Sequence, residues 1–299
     1  MKVGFIGIGN MGWPMASNLL KAGHDMTVFD SNPARVSQFV QEVGGRPAKG
    51  PADFKAVEVI VTMLPTGPIV RQVMLEIDGG VAPHLAPGTL VIDMSSSEPT
   101  GTQELGKALG ARGVVLIDAP VSGAVPRATT GTLAIMIGAD DKRAIERATP
   151  VLSAMGNRLF ETGPLGSGHA MKSLNNFVAG ACYAAAAEAL LIGRRFGLDQ
   201  TRMLEIINVS TGRNFITEVV MKEHVVDRKF STGFTVGLLA KDVKIAADLA
   251  RDMEFDAPVL QLVCDRWADA KDRLGPTRDN SEAILSWDET GQKAPKPNA

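Results

Sequence analysis

Aromatic residues are scarce in this chain: one tyrosine, three tryptophans and eleven phenylalanines make up 5% of 299 residues. Stacking platforms for nucleic-acid bases need more rings than that. The 31 basic and 33 acidic side chains leave a net charge of −2, so no basic surplus is present to draw a polyanion or an anionic membrane surface. Cysteine is scarcer still. Cys182 and Cys264 each lie within an apolar helical pattern, and neither has a second cysteine nearby. A disulfide or zinc framework is therefore not expected, and a reducing, cytoplasmic setting fits. The histidines His24, His84, His169 and His224 show no metal-ligand spacing, and no metal is expected. The apolar run KVGFIGI begins too early for a charged and apolar leader to precede it, so no signal peptide is expected. The long apolar run from Phe177 to Gly193 carries Glu188 and falls short of the roughly 20 residues a bilayer requires. It reads as a central helix packed on several sides, with no membrane partner.

What is present is an alternation. The runs KVGFIGI, MTVFD, VEVIVTML, TLVID and VVLIDAPV are rich in Val and Ile, as parallel strands buried on both faces are. Helical patterns at 11–22, 33–42, 67–75 and 99–111 separate them. TLAIMIG, a helix from Lys142 to Met155 and RLFETG follow. Such alternation predicts an α/β fold with a Rossmann-type doubly wound sheet. Beyond Gly163 no strand pattern remains. Helical runs at 167–195, 200–210, 214–226, 236–253 and 257–272 predict an all-helical second domain, joined to the first by a long interdomain helix. The expected organisation is a dinucleotide-binding domain over 1–163, a helical substrate and oligomerisation domain over 164–290, and a disordered Pro-rich tail over 291–299.

The segment GFIGIGNMGWPMASNLL carries Gly7, Gly9 and Gly12 in the spacing G-x-G-x-x-G, between a strand and a helix. In that context Gly7 permits a tight turn, Gly9 lets the backbone approach a pyrophosphate, and Gly12 lets helix pack on strand. Asn10 and Met11 complete the turn, and the following helix N-terminus offers free N–H groups to phosphates. Asp30 closes the second strand at the distance expected of a carboxylate that binds the adenosine ribose, with no arginine before Arg35. This favours NAD over NADP. The loops MLP, with Leu64 and Pro65, and DMSSS, with Ser96, end two further strands, where ligands of open α/β sheets bind.

GSGHAMKSLNN, residues 166–176, places a lysine and two asparagines at the start of the apolar helix. Lys172, Asn175 and Asn176 share one helical face, at the expected mouth of an interdomain cleft. Oxidation of an alcohol needs a hydride acceptor and a proton acceptor, and a neutral lysine can take the proton. Burial, the positive helix end and a cationic nicotinamide ring would each favour the neutral form. Asn176, four residues on, can hold both the lysine and the substrate oxygen.

With these residues in view, the sequence resembles the β-hydroxyacid dehydrogenase family, which includes 3-hydroxyisobutyrate dehydrogenases and tartronate semialdehyde reductases. The resemblance runs from Met1 to about Trp287 and rests on GFIGIGNMGWPMASNLL, DAPVSG, GSGHAMKSLNN and LLAKDVKIA. It implies that Lys172 is the catalytic acid or base and that Asn176 orients the substrate. It implies further that Ser122 and the Gly123 backbone bind the substrate carboxylate, beside Asn175, and that Phe234 covers the substrate. By the same resemblance Lys241 reaches the cofactor and Asp242 supports it, while Leu64, Pro65 and Ser96 contact the cofactor. Two positions depart from the pattern: Ala124 replaces a second glycine, and Arg127 replaces a small residue. A guanidinium there would suit a substrate with an additional anionic group, approached also by Arg213, or would pair with Asp140 or Asp141. Imine reductases lack the lysine. The 6-phosphogluconate dehydrogenases carry histidine in place of Asn175.

The implied activity is hydride transfer between NAD and the hydroxyl-bearing carbon of a small, anionic β-hydroxy acid. The alternatives are NADPH-dependent reduction of a small semialdehyde and a dinucleotide-binding protein without catalysis. The apolar helical domain leads to the expectation of a homodimer or homotetramer.

Overall fold

The computed structural model describes residues 1–290, so the expected tail at 291–299 lies outside the described residues. The chain divides into two compact units, the first spanning Met1–Lys172 and the second beginning at Ser173.

In the first unit β1 (Lys2–Ile6), β2 (Asp25–Phe29), β3 (Arg46–Pro47), β4 (Val59–Thr62), β5 (Leu90–Asp93) and β6 (Val115–Asp118) are parallel and run in the order 3-2-1-4-5-6. Side chains alternate across a strand, so β1, β4, β5 and β6 each feed two cores. Val3, Phe5, Val59, Val61, Leu90, Ile92 and Ile117 lie in one buried cluster. Ile6, Ile60, Val91 and Leu116 lie in the other. The helices α1 (Gly12–Lys21), α2 (Pro33–Glu42), α3 (Gly67–Leu75) and α4 (Pro99–Gly110) connect the strands. The order reverses between β1 and β4, and the loops after these two strands flank that point, where open α/β sheets form their ligand crevice.

The run VVLIDAPV is not one strand. It breaks at Ala119–Pro120, because proline has no N–H for a ladder, and resumes as the two-residue β7 (Val121–Ser122). A short helix, α5 (Ala124–Thr130), follows, which the sequence pattern did not reveal. β8 (Leu133–Gly138) then runs antiparallel to β6 and β7, so the sheet is not wholly parallel. The ten residues that join β7 to β8, 123–132, fall short of the dozen or so that a parallel crossover takes. After α6 (Lys142–Met155), β9 (Gly156–Gly163) returns parallel to β8.

The helix α7 (Ser167–Phe196) begins in the first unit and continues into the second. At 30 residues it is longer than the apolar run suggested, about 45 Å at ~1.5 Å per residue. Length alone would therefore let it cross a membrane; half of its apolar window is buried inside the protein, and Glu188 pairs with Arg266 at 3.0 Å. It is the core helix of the second unit, with Tyr183, Ala187, Leu190 and Leu191 packed inside. Around it lie α8 (Gln200–Asn208), a π-helical segment (Ile216–Val226), α9 (Val236–Asp252), α10 (Pro258–Leu274) and α11 (Ala283–Thr290). The few aromatic rings are concentrated here: Tyr183, Trp267 and Trp287 meet with centroids 5.3–5.7 Å apart. Gly180 on α7 makes room for Trp267, whose Nε1–H donates to the Gly180 carbonyl at 3.2 Å. Cys182 and Cys264 are both free thiols.

Candidate active site

The three glycines after β1 serve different ends. A Cβ on Gly7 would fall 2.3 Å from the Met63 carbonyl oxygen, and its φ of 97° lies in the left-handed region that favours glycine. A Cβ on Gly12 would fall 1.9 Å from the Gly7 carbonyl oxygen, so α1 can pack on β1 only without one. Gly9 is different: a Cβ there would meet nothing within 4 Å. The protein's own packing does not require glycine at position 9. The open cradle lies where α1 begins, and no side chain caps that helix; the Trp13 N–H already donates to the Gly9 carbonyl at 2.9 Å. These features fit a dinucleotide pyrophosphate, with Gly9, Asn10 and Met11 along the cradle.

Asp30 follows β2. Its Oδ2 accepts the Ile8 N–H and its Oδ1 the Asn32 N–H, each at 2.9 Å, so the carboxylate also holds the glycine loop in shape. Arg35 is closer than its distance in sequence implied. The first turn of α2 brings its Nε–H to the Ile8 carbonyl at 2.6 Å, with the guanidinium 4.9 Å above the Trp13 ring. A carboxylate and an arginine therefore stand together on the glycine loop, both bonded to the Ile8 backbone. Asn10, Trp13 and Arg35 also line a groove of about 680 Å³ over α1, α2 and α5.

The loops after β4 and β5 are tied to each other. The Leu64 N–H donates to Ser95 Oγ at 2.9 Å. Below them Asp93 is buried and accepts from the Thr62 hydroxyl, the Ser95 N–H and the Ser97 hydroxyl at 2.8–3.0 Å. Pro65 and Ser96 lie on these two loops, next to the tied residues.

Ser122 is half-buried on β7, and Gly123 turns the chain with φ 133°. Ala124 has φ 53°, a left-handed conformation that explains why glycine is usual there. Arg127, on α5, folds its stem back over Gly123: a Cβ on Gly123 would lie 2.5 Å from Arg127 Cδ. The guanidinium does not pair with Asp140 or Asp141. Asp141 pairs with Arg143 at 2.8 Å and Asp140 accepts the Leu165 N–H. Arg213 is engaged by Glu218 at 2.6 Å. Among the described residues Arg127 has no ion-pair partner.

The start of α7 is held by Asp118, at the end of β6. Its Oδ1 accepts the Gly166 N–H and its Oδ2 the His169 N–H, both at 2.7 Å. A carboxylate at a helix N-terminus answers both the unpaired N–H groups and the helix dipole. Gly138 and Gly168 make room for it, since a Cβ on either would approach its oxygens to 2.3 and 2.8 Å. Burial pushes the Asp118 carboxyl above its usual range, and the charge of His169 and the two N–H groups pull it back.

One turn later Lys172 is half-buried. In the second unit Asn176 is buried and its amide is oriented from both ends. Nδ2 donates to Asp242 Oδ2 at 2.6 Å, and Oδ1 accepts from Asn175 at 3.2 Å. The ammonium of Lys241 stands 3.2 Å from Asp242 Oδ1, near enough for ion pairing but out of hydrogen-bond alignment. Phe234 is half-buried just before α9, its carbonyl accepting the Asn280 N–H at 2.8 Å. Among the described residues no group of three or more His, Cys, Asp or Glu is placed to hold a metal ion. Sequence reasoning overlooked Asp93, Asp118 and His169. The signal was available in TLVID and VVLID, two apolar strands that both end in aspartate.

Residues 2–163 match the model of the NAD binding domain of 6-phosphogluconate dehydrogenase, and residues 166–287 that of the NAD-binding domain of NADP-dependent 3-hydroxyisobutyrate dehydrogenase. The chain is 34% identical to 2-(hydroxymethyl)glutarate dehydrogenase of Eubacterium barkeri, over 97% of this chain and 95% of that one. It is 37% identical to 3-sulfolactaldehyde reductase of Escherichia coli, over 95% and 94%. The solved structure of Mycobacterium tuberculosis 3-hydroxyisobutyrate dehydrogenase with L-serine superimposes with a TM-score of 0.87, at 31% identity, covering 96% of this chain and 98% of that one. The chain belongs to the β-hydroxyacid dehydrogenase family of NAD(P)-dependent oxidoreductases.

Proposed function

We propose that the protein oxidises a small β-hydroxy acid of the 3-hydroxyisobutyrate type with NAD, with Lys172 as the proton carrier. The observation that supports this most directly is the placing of Lys172 in the second turn of α7, one turn ahead of an asparagine whose amide is fixed by a buried aspartate. When bound, the nicotinamide cofactor supplies the hydride acceptor. Gly9, Asn10, Met11 and Asp30 would hold its phosphates and ribose, with Leu64, Pro65, Ser96 and Lys241 as further contacts. Ser122 and the Gly123 N–H bind the substrate carboxylate. Lys172 takes the hydroxyl proton at Nζ as the carbonyl forms, and Asn176 and Asn175 orient the substrate oxygen. The test is absorbance at the reduced-nicotinamide band with a panel of β-hydroxy acids, run with wild type and Lys172→Ala. Removal of one positioned proton carrier costs on the order of 10²–10⁴ in rate. Retention of more than about a tenth of wild-type kcat would overturn the assignment of Lys172.

Arg127 favours a second reading within the same chemistry. Two of the relatives are named for a dicarboxylate and for a sulfonate aldehyde. An arginine whose stem lies over Gly123 and whose guanidinium has no ion-pair partner among the described residues suits a substrate of that kind, including one reduced from the semialdehyde side. Arg127→Ala should then weaken kcat/KM for a dianionic substrate by roughly 1.5–3 kcal/mol more than for one with a neutral tail. We read the exposed Ile192, Phe196, Ile206, Val209 and Phe215 of the helical unit as surface that further copies of the chain cover, in a cytoplasmic homodimer or homotetramer.

A further inference from the structure

We propose that Ser95 is a positioning residue: a buried serine that sets the loop after β4, with the cofactor contacts Leu64 and Pro65, against the helix that carries Lys172. The proposal rests on the reading of Leu64 and Lys172 given above. Ser95 is fully buried, just past the point where the Met94 N–H donates to the Thr62 carbonyl at 2.9 Å and the pairing of β4 with β5 ends.

Each of its polar groups holds a different element. The Oγ accepts the Leu64 N–H at 2.9 Å, on the loop after β4. The N–H donates to Asp93 Oδ1 at 3.0 Å, at the end of β5. The carbonyl accepts from His169 Nε2 at 3.1 Å, in the first turn of α7. The His169 ring is 0% exposed, and its Nδ1 lies 2.8 Å from the Thr102 hydroxyl of α4, so it is gripped on both sides. Lys172 follows three residues later on the same side of α7.

The neighbouring loops are closed on each other around this serine. A Cβ on Gly7 would fall 2.3 Å from the Met63 carbonyl oxygen, so the glycine turn lies directly against the residue before Leu64. A Cβ on Gly67 would fall 3.0 Å from Ser97 Cβ and 2.5 Å from Glu98 Oε2, so the start of α3 meets the loop that follows Ser95. Oxidation of an alcohol takes a hydride from carbon and a proton from the adjacent oxygen. The hydride acceptor and the proton carrier must therefore keep a fixed separation, and a misplacement of about 1 Å is costly. The path between them runs through Leu64, Ser95, His169 and Lys172. Ser95 Oγ is the link that can be removed without touching either end.

Two experiments test this on the full-length enzyme. The first compares Ser95→Ala with wild type on the β-hydroxy acid that turns over fastest, 3-hydroxyisobutyrate being the first choice. The variant should lose roughly 10- to 100-fold in kcat, the scale of a misplaced reacting group. The substrate KM should stay within about twofold, as expected when only the reacting geometry is lost. Deuterium at the hydroxyl-bearing carbon should slow the variant more than it slows wild type, because hydride transfer has become the slow step. A folded variant that melts earlier but keeps the wild-type kcat and isotope effect overturns the positioning role, and so does a loss confined to KM. The second experiment follows the Leu64 amide of the cofactor-free wild type by NMR after nitrogen-15 leucine labelling. Protection from hydrogen exchange is expected, and exchange at the rate of an open loop overturns the tie. This result decides if Ser95→Ala does not fold or no substrate turns over. Lys172→Ala, assayed in parallel, separates the two readings. Full turnover in that variant refutes Lys172 as proton carrier, while the isotope effect of Ser95→Ala still reports on the hydride side.

Discussion

Asn176 donates from Nδ2 to Asp242 Oδ2 at 2.6 Å, joining two residues 66 apart in sequence across the buried face between α7 and α9. The bond fixes which way the amide points, and with it which atom Asn176 offers to a ligand. Asp242→Ala should cost roughly 1.5–3 kcal/mol of stability, the value of a hydrogen bond to a charged group. It should also lower kcat through the loosened Asn176. Urea denaturation and steady-state kinetics on one preparation check both; a variant with wild-type stability and kcat would remove Asp242 from the site.

Gly9 and Gly12 should respond in opposite ways to the same methyl group. Gly9→Ala meets no neighbour and should leave the melting temperature unchanged, while NAD affinity falls on the order of tenfold or more, about 1.4 kcal/mol. Gly12→Ala sets a Cβ against the Gly7 carbonyl and should destabilise the first unit. Calorimetric titration and thermal melts distinguish the two, and a stable Gly9→Ala that binds NAD normally would place the pyrophosphate elsewhere.

Asp30 should do two things at once. Exchange to Asn removes the charge that opposes a 2′-phosphate, with Arg35 already at hand, so the preference for NAD over NADP should narrow. The same exchange leaves only one of the Ile8 and Asn32 N–H groups with an acceptor and should cost on the order of 1 kcal/mol of stability. Kinetics with both cofactors are decisive: comparable kcat/KM for NAD and NADP in the wild type would sink the role of Asp30.

Asp118 supplies a pH signature. Its folded-state carboxyl is raised above the ordinary 3.8, chiefly by burial. A raised pKa means that the native state keeps its proton to higher pH than the unfolded chain. The stability it contributes is fully present below 3.8 and is lost as the pH rises through the folded value. The difference in unfolding free energy between wild type and Asp118→Asn should therefore shrink with rising pH across the acid range. A difference that grows instead would reverse the sign of the shift.

The parallel strands were legible because VEVIV and TLVID are unbroken β-branched runs, and the glycine turn because its spacing sits between strand and helix. What escaped was written in single residues rather than in periods. Pro120 splits a strand and thereby permits the antiparallel β8; nothing in TLAIMIG records direction. Arg35 looked distant because sequence separation ignores the turn of α2 that returns it to Ile8. His169 looked like an ordinary member of an apolar helix, since its partners Ser95, Thr102, Asp93 and Asp118 come from four other places in the chain. Lys172 and Asn176 were readable as a pair because helical spacing alone aligns them. The anchoring of Asn176 by Asp242 was not legible, since family resemblance tied Asp242 to Lys241 and the cofactor and not to Asn176.

The cap that Asp118 provides to α7 makes the start of that helix depend on the sheet. Most helices carry their own start signal, but this one takes its start from a strand residue 48 positions before Gly166. Its first turn has local bonds from Ser167 to Pro164 and from Ala170 to Gly166, but its carboxylate cap is available only where β6 is in place. A chain in which β6 is not seated would have the lysine but lack the two bonds that hold the turn ahead of it.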